Sequence, residues 1–208
     1  MSAQVEMTNP VDTSVGGMKG HILRRTIHVG MVLIPFVYFQ YGESAAQRLN
    51  TTLDQLVAGF ALLLIAIEGL RLRLGITVFG QRAYEASQIS ALAWGGLAIC
   101  MVLLLTPIEA YAWPLIVSLA FGDPFMGELR RKGFSNQNVM IYATVLILII
   151  WLTSWWVFGT PLLISLLLPA VCMAAEWPRL TYIDDNATMI LIPLTLVLFL
   201  EPFFGVMA

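Results

Sequence analysis

The chain has 208 residues, 59% hydrophobic and only 12% charged, against the roughly 25% charged residues of a soluble domain. With a mean hydropathy of +0.82, this excludes the soluble globular class and implies an all-α, polytopic integral membrane protein. A formal net charge of -2, with basic residues scattered in small groups, excludes a nucleic-acid footprint.

Residues 1–20 are polar and lack an apolar core ahead of a small-residue cleavage site. They read as a cytoplasmic tail rather than a signal peptide, and 21–208 as one membrane-embedded domain. Charge, Pro and Gly then separate seven apolar stretches, near 26–41, 53–70, 87–106, 108–121, 139–158, 160–175 and 187–205. A crossing needs roughly 20 residues. The second, third, fifth and seventh stretches meet or approach that length, and the first does so if its helix begins at His21. The fourth and sixth are short. Pro107 and Pro114 bracket or interrupt the fourth, which predicts a broken or re-entrant helix there and leaves six crossings plus a partial one as an alternative. Cys100 and Cys172 lie inside apolar runs and read as structural thiols.

Of the 11 basic residues, all but Arg48 fall on one side if the N-terminus is cytoplasmic and the C-terminus lies opposite. That arrangement brings RRTIH, EGLRLR, GDPFMGELRRK and EWPRLTYIDDN to a single face. Arg25 and His28 are three residues apart, as are Glu68 and Arg71, so each pair shares a helix side. Snorkelling arginines and one internal ion pair explain this spacing; so does a phosphate held by Arg25 or Arg71, with Glu68 fixing the guanidinium. His28 is either a proton acceptor or a structural histidine, and His21 is an ordinary interface residue. Gly122, Asp123 and Pro124 predict a turn. Asp123 there caps a following helix or ligates Mg²⁺, while Gly122 and Gly127 admit a polyphosphate to the backbone. Glu176 ends the sixth stretch. One of Asp184 and Asp185 suits a helix cap, and a metal held by Asp123, Glu176 and Asp185, with Asn186 beside it, would explain the remaining acids.

These motifs, in this order, resemble the dolichol, phytol and polyprenol kinase family of membrane phosphotransferases. The resemblance runs over nearly all of the chain after the tail, and one family element is missing: ELRRKGF stands where relatives carry a lysine and a glutamate-glycine pair. It implies CTP as phosphate donor, Mg²⁺ as cofactor and a lipid alcohol as acceptor. Asp123, Asp185 and Asn186 would then lie near nucleotide and metal, and Arg25, His28, Glu68 and Arg71 near lipid or phosphate. Two other functions fit the same scaffold: a CTP-dependent lipid-phosphate cytidylyltransferase, and a non-catalytic or transporting membrane protein. Small-residue WGG and aromatic WLTSWWVFG suit helix or lipid packing, and leave a homo-oligomer open.

Overall fold

The computed structural model describes residues 11, 14–176, 180 and 182–206. These form α1 (Gly17–Gly30), α2 (Leu33–Arg48), α3 (Leu53–Leu74), α4 (Ala91–Leu105), α5 (Glu109–Arg131), α6 (Asn136–Phe158), α7 (Leu162–Glu176) and α8 (Asp185–Leu200). Short 3₁₀ turns at Ala83–Ala86 and Glu201–Phe203 complete the described elements. Polar caps set several starts. Thr52 forms a capping box with Gln55 before α3, and Ser90, Ser135 and Asp184 each accept a backbone N–H at the first turn of α4, α6 and α8. At the other ends, Gly75 and Gly159 take the left-handed conformation that closes α3 and α6.

Among the described residues, three helices are long and apolar enough to cross a membrane: α3, α6, and α8 with its terminal 3₁₀ turn. Helices α1 and α2 pass together as a pair bent by 46°. The apolar helices α4 and α7 have 15 residues each, short of the roughly 20 that a straight crossing needs. The break therefore lies in the first stretch, at Met31 and Val32, and not in the fourth as the sequence predicts. The third stretch is also shorter than expected, because 87–90 belongs to the loop that Ser90 ends.

Helix α5 runs through both Pro114 and Pro124 without interruption. A proline inside a helix leaves the carbonyl four residues back without its N–H partner, which for Pro114 is that of Ala110. The Thr160 hydroxyl donates to this carbonyl at 2.6 Å and Ser154 lies 3.3 Å from it. An unsatisfied carbonyl in a membrane interior costs several kcal/mol, so these hydroxyls, one from α6 and one from the α6–α7 connection, keep α5 whole. Asp123 consequently sits inside a helix; the expected turn, and the cap that Asp123 would provide for a new helix, do not form.

Helix α5 is central and packs against α1, α2, α4, α6 and α8. Tyr111, Ile116, Leu119, Ala120 and Met126 are fully buried, so protein rather than lipid surrounds the most polar of the long helices. Helix α3 is peripheral. Its Leu62, Ile65 and Ile67 are more than half exposed, the arrangement of a lipid-facing surface.

Candidate functional site

Six helix ends converge at one end of the bundle. The Arg25 Nη1 of α1 donates to the Asp123 backbone oxygen of α5 at 3.0 Å, and Glu68 of α3 accepts from the Ser90 N–H before α4 at 2.6 Å. Asn186 of α8 reaches the Ala91 carbonyl of α4, and Arg130 of α5 meets Glu176 of α7 at 3.0 Å. The sequence's four polar motifs thus do share one end. The opposite end holds a separate buried pair, Tyr111 donating to Glu201 at 2.6 Å.

Glu68 and Arg71 form a clamp. The Arg71 Nε and Nη2 donate to the two Glu68 oxygens at 2.9 and 2.7 Å, and its other donors reach the carbonyls of Ile76, Glu85 and Gln88 at 2.7–2.8 Å. A guanidinium has five N–H donors, and all five are engaged by protein. Arg71 therefore folds the 75–90 loop rather than offering a fork to phosphate, and Glu68 orients it for that work. Glu85 ties the same loop to α1, accepting from Arg24 at 2.9 Å and from the Arg82 N–H at 3.0 Å. The N-terminal segment joins in: Val15 N–H donates to Gln81 and Gly80 N–H to Val15, so the folded domain begins before residue 21.

Arg25, His28 and Asp123 form the innermost group. Asp123 Oδ2 lies 3.3 Å from both Arg25 Nη1 and His28 Nδ1. The imidazole contact lacks hydrogen-bond alignment, so the buried His28 Nδ1 has close charge but no bonded partner. Arg24 and Arg82 also lie within Coulombic reach of Asp123. The Arg25 guanidinium rests directly on Gly127, occupying the space that a Cβ would take, and Gly122 gives its space to Met189 and Ile147. These glycines admit side chains of the protein, not the polyphosphate expected from the sequence.

Asp184 and Asp185 open α8, and Asp184 caps it by accepting the Asn186 N–H at 3.1 Å. Burial, followed by the neighbouring Asp185 charge, pushes the Asp184 carboxyl up. Asp185 lies within Coulombic reach of His28, Arg82 and Glu176, so α8 faces the Asp123 group. Asn186 is 2% exposed and its Oδ1 has no hydrogen-bond partner. Gly95 lies opposite it, where a Cβ would meet Leu119, Met31 and Asn186 at the ordinary contact distances of 3.6–3.8 Å.

The expected metal set does not assemble. Both oxygens of Glu176 accept from Arg130, at 3.0 and 3.2 Å, and Asp123 faces Arg25 and His28. Among the described residues no group of three or more His, Cys, Asp and Glu is placed to hold an ion. Residues 177–179 and 181, including Arg179 of the topology argument, lie outside the described residues. In the sequence Arg24 and Arg82 carry only the topology argument, Arg130 belongs to a basic run suited to a topology anchor or to anionic lipid or nucleotide phosphate, and His21 reads as an ordinary interface residue, whereas in the fold it is 4% exposed. The partners of His21, Arg24 and Arg130, which are Glu128, Glu85 and Glu176, are distant in sequence, so spacing gives no signal of them. Comparisons with protein-family models, curated proteins and solved structures find no match to this chain.

Proposed function

We propose that the chain is a membrane phosphotransferase that moves the γ-phosphate of CTP, or of another nucleoside triphosphate, to the hydroxyl of an isoprenoid or related lipid alcohol. The observation that carries this reading is the meeting of α1, α5 and α8 at one polar end, where the buried His28 Nδ1 and Asn186 Oδ1 lack hydrogen-bond partners. A buried polar atom left unpaired costs about 1–3 kcal/mol, and a ligand hydroxyl entering between these helices removes that cost. The alcohol oxygen attacks the γ-phosphorus, the bond from that phosphorus to the β-bridging oxygen breaks, and CDP leaves. The hydroxyl proton passes to the His28–Asp123 pair. Arg25, with its Nε unpartnered, stabilises charge on the transferring group, because such transfer depends chiefly on positioning and electrostatics. Magnesium enters as the counter-ion of the nucleotide substrate, without a resident three-carboxylate site.

In the membrane, the bent α1–α2 pair and α3 to α8 form seven crossings, with the polar end and N-terminus cytoplasmic and the C-terminus opposite. The short α4 and α7 are accommodated by local bilayer thinning. Single cysteines at Lys19, Arg82 and Lys132, placed in a chain lacking Cys100 and Cys172, are expected to label from the same face of sealed vesicles; opposite labelling of any two refutes this orientation.

The catalytic test uses purified chain, γ-labelled CTP and a panel of long-chain alcohols. Label in a lipid monophosphate, with release of CDP, is expected. A CDP-lipid formed from a lipid phosphate, with pyrophosphate released and no labelled monophosphate, overturns the assignment in favour of cytidylyl transfer.

A further inference from the structure

A groove of about 590 Å³ opens between α1 and α5, lined among others by His21, Ile22, Arg25, Pro124, Glu128 and Arg131. Its two guanidinium groups each meet one carboxylate, Arg131 that of Glu128 at 2.8 Å and Arg25 that of Asp123 at 3.3 Å, and what remains open are donor atoms that these pairs do not engage. His21 is 4% exposed, and its Nε2 lies 3.6 Å from Glu128 without forming a hydrogen bond. Arg25 Nε is likewise buried without a partner, although Nη1 of the same guanidinium is engaged by Asp123.

Apolar side chains adjoin this basic centre. Met18, Ile22 and Val29 line the groove and are 51%, 55% and 39% exposed. The groove also lies at the polar end of the membrane helices, beside the basic run Arg130 to Lys132, at the depth where headgroups meet protein. A small anion would use the basic centre and leave the apolar wall unfilled. A lipid uses both.

We propose that this groove binds an anionic membrane lipid, with its phosphate headgroup on Arg25, His21 and Arg131 and its hydrocarbon along Ile22 and Val29. A phosphomonoester headgroup offers oxygens to the unpartnered Arg25 Nε and His21 Nε2, and charge-assisted bonds of this kind are the stronger ones. This occupancy does not depend on phosphotransfer: a chain with no transferase activity would still hold the lipid.

The full chain, reconstituted in phosphatidylcholine nanodiscs, is tested with photoreactive phosphatidic acid. Crosslinks are expected within 18–29 and 124–131. Excess unlabelled phosphatidic acid should displace them, whereas millimolar inorganic phosphate should not. Arg131→Gln removes one charge-assisted contact and should weaken capture about tenfold. Ile22→Trp fills the groove from an exposed position and should reduce capture at least as far, with the melting temperature of both variants unchanged. Equal capture of a photoreactive phosphatidylcholine, crosslinks confined to other helices, or displacement by inorganic phosphate alone would each overturn the proposal.

Discussion

Replacement of Arg71 by methionine tests whether this arginine is a loop clamp or a phosphate ligand. The side chain has five bonded N–H groups, and it is 7% exposed beside a Glu68 that is 9% exposed. The Arg71→Met change would leave the buried Glu68 charge and three loop carbonyls without their donor. Breaking a buried pair from one side costs about 3–5 kcal/mol, which for a chain of this size corresponds to a fall in melting temperature of roughly 6–20 °C. Glu68→Met combined with Arg71→Met removes the stranded charge and should recover part of that loss. Full recovery is not expected, because Ser90 N–H and the carbonyls of Ile76, Glu85 and Gln88 remain unpaired. Thermal unfolding of the detergent-purified single and double variants, with transferase activity measured on the folded fraction, reads both quantities. A single variant that melts within about 2 °C of the parent yet has lost activity would refute the clamp and restore Arg71 to phosphate binding.

Gly127→Ala places a methyl group where the Arg25 guanidinium rests; the flexible arginine should move aside, leaving stability nearly unchanged but lowering transferase activity at least tenfold, as paired melting and turnover assays would record. The Asp184 carboxyl is pushed from 3.8 up to about 8 by burial and then by Asp185. The folded chain therefore binds more protons than the unfolded chain between those values, so this contribution to stability is complete below about pH 4 and declines as pH rises toward 8. Asp184→Asn retains a capping side chain and should flatten the decline in a series of melts from pH 5 to 9. Tyr111→Phe leaves the buried Glu201 without its 2.6 Å donor; it should destabilise the bundle by about 1–3 kcal/mol while activity per folded molecule is unaltered, because this pair lies at the end opposite the candidate site.

The sequence by itself determined the helical membrane class, since few charges are available to solvate so apolar a chain, and it determined that basic motifs gather at one end, since alternating apolar runs return them there. It also determined the Glu68–Arg71 pair, because three residues along a helix bring side chains together. Only the tertiary structure decided what that pair does: three loop carbonyls, which spacing cannot place, complete the guanidinium's bonding and remove it from the ligand site. The continuity of α5 was hidden for the same reason. Pro114 signals a break locally, and the Thr160 hydroxyl that satisfies Ala110 is 50 residues away from it. The bend between α1 and α2, by contrast, is marked locally by Pro35 in the first turn of α2, which has no N–H to give the Met31 carbonyl four residues back. The acids Asp123, Glu176 and Asp185 look interchangeable as metal ligands in the sequence, but packing gives Glu176 to Arg130 and Asp123 to Arg25 and His28. Which charge meets which is a property of helix packing, and in a low-dielectric bundle that pairing decides whether a carboxylate supports the fold or remains open to a ligand.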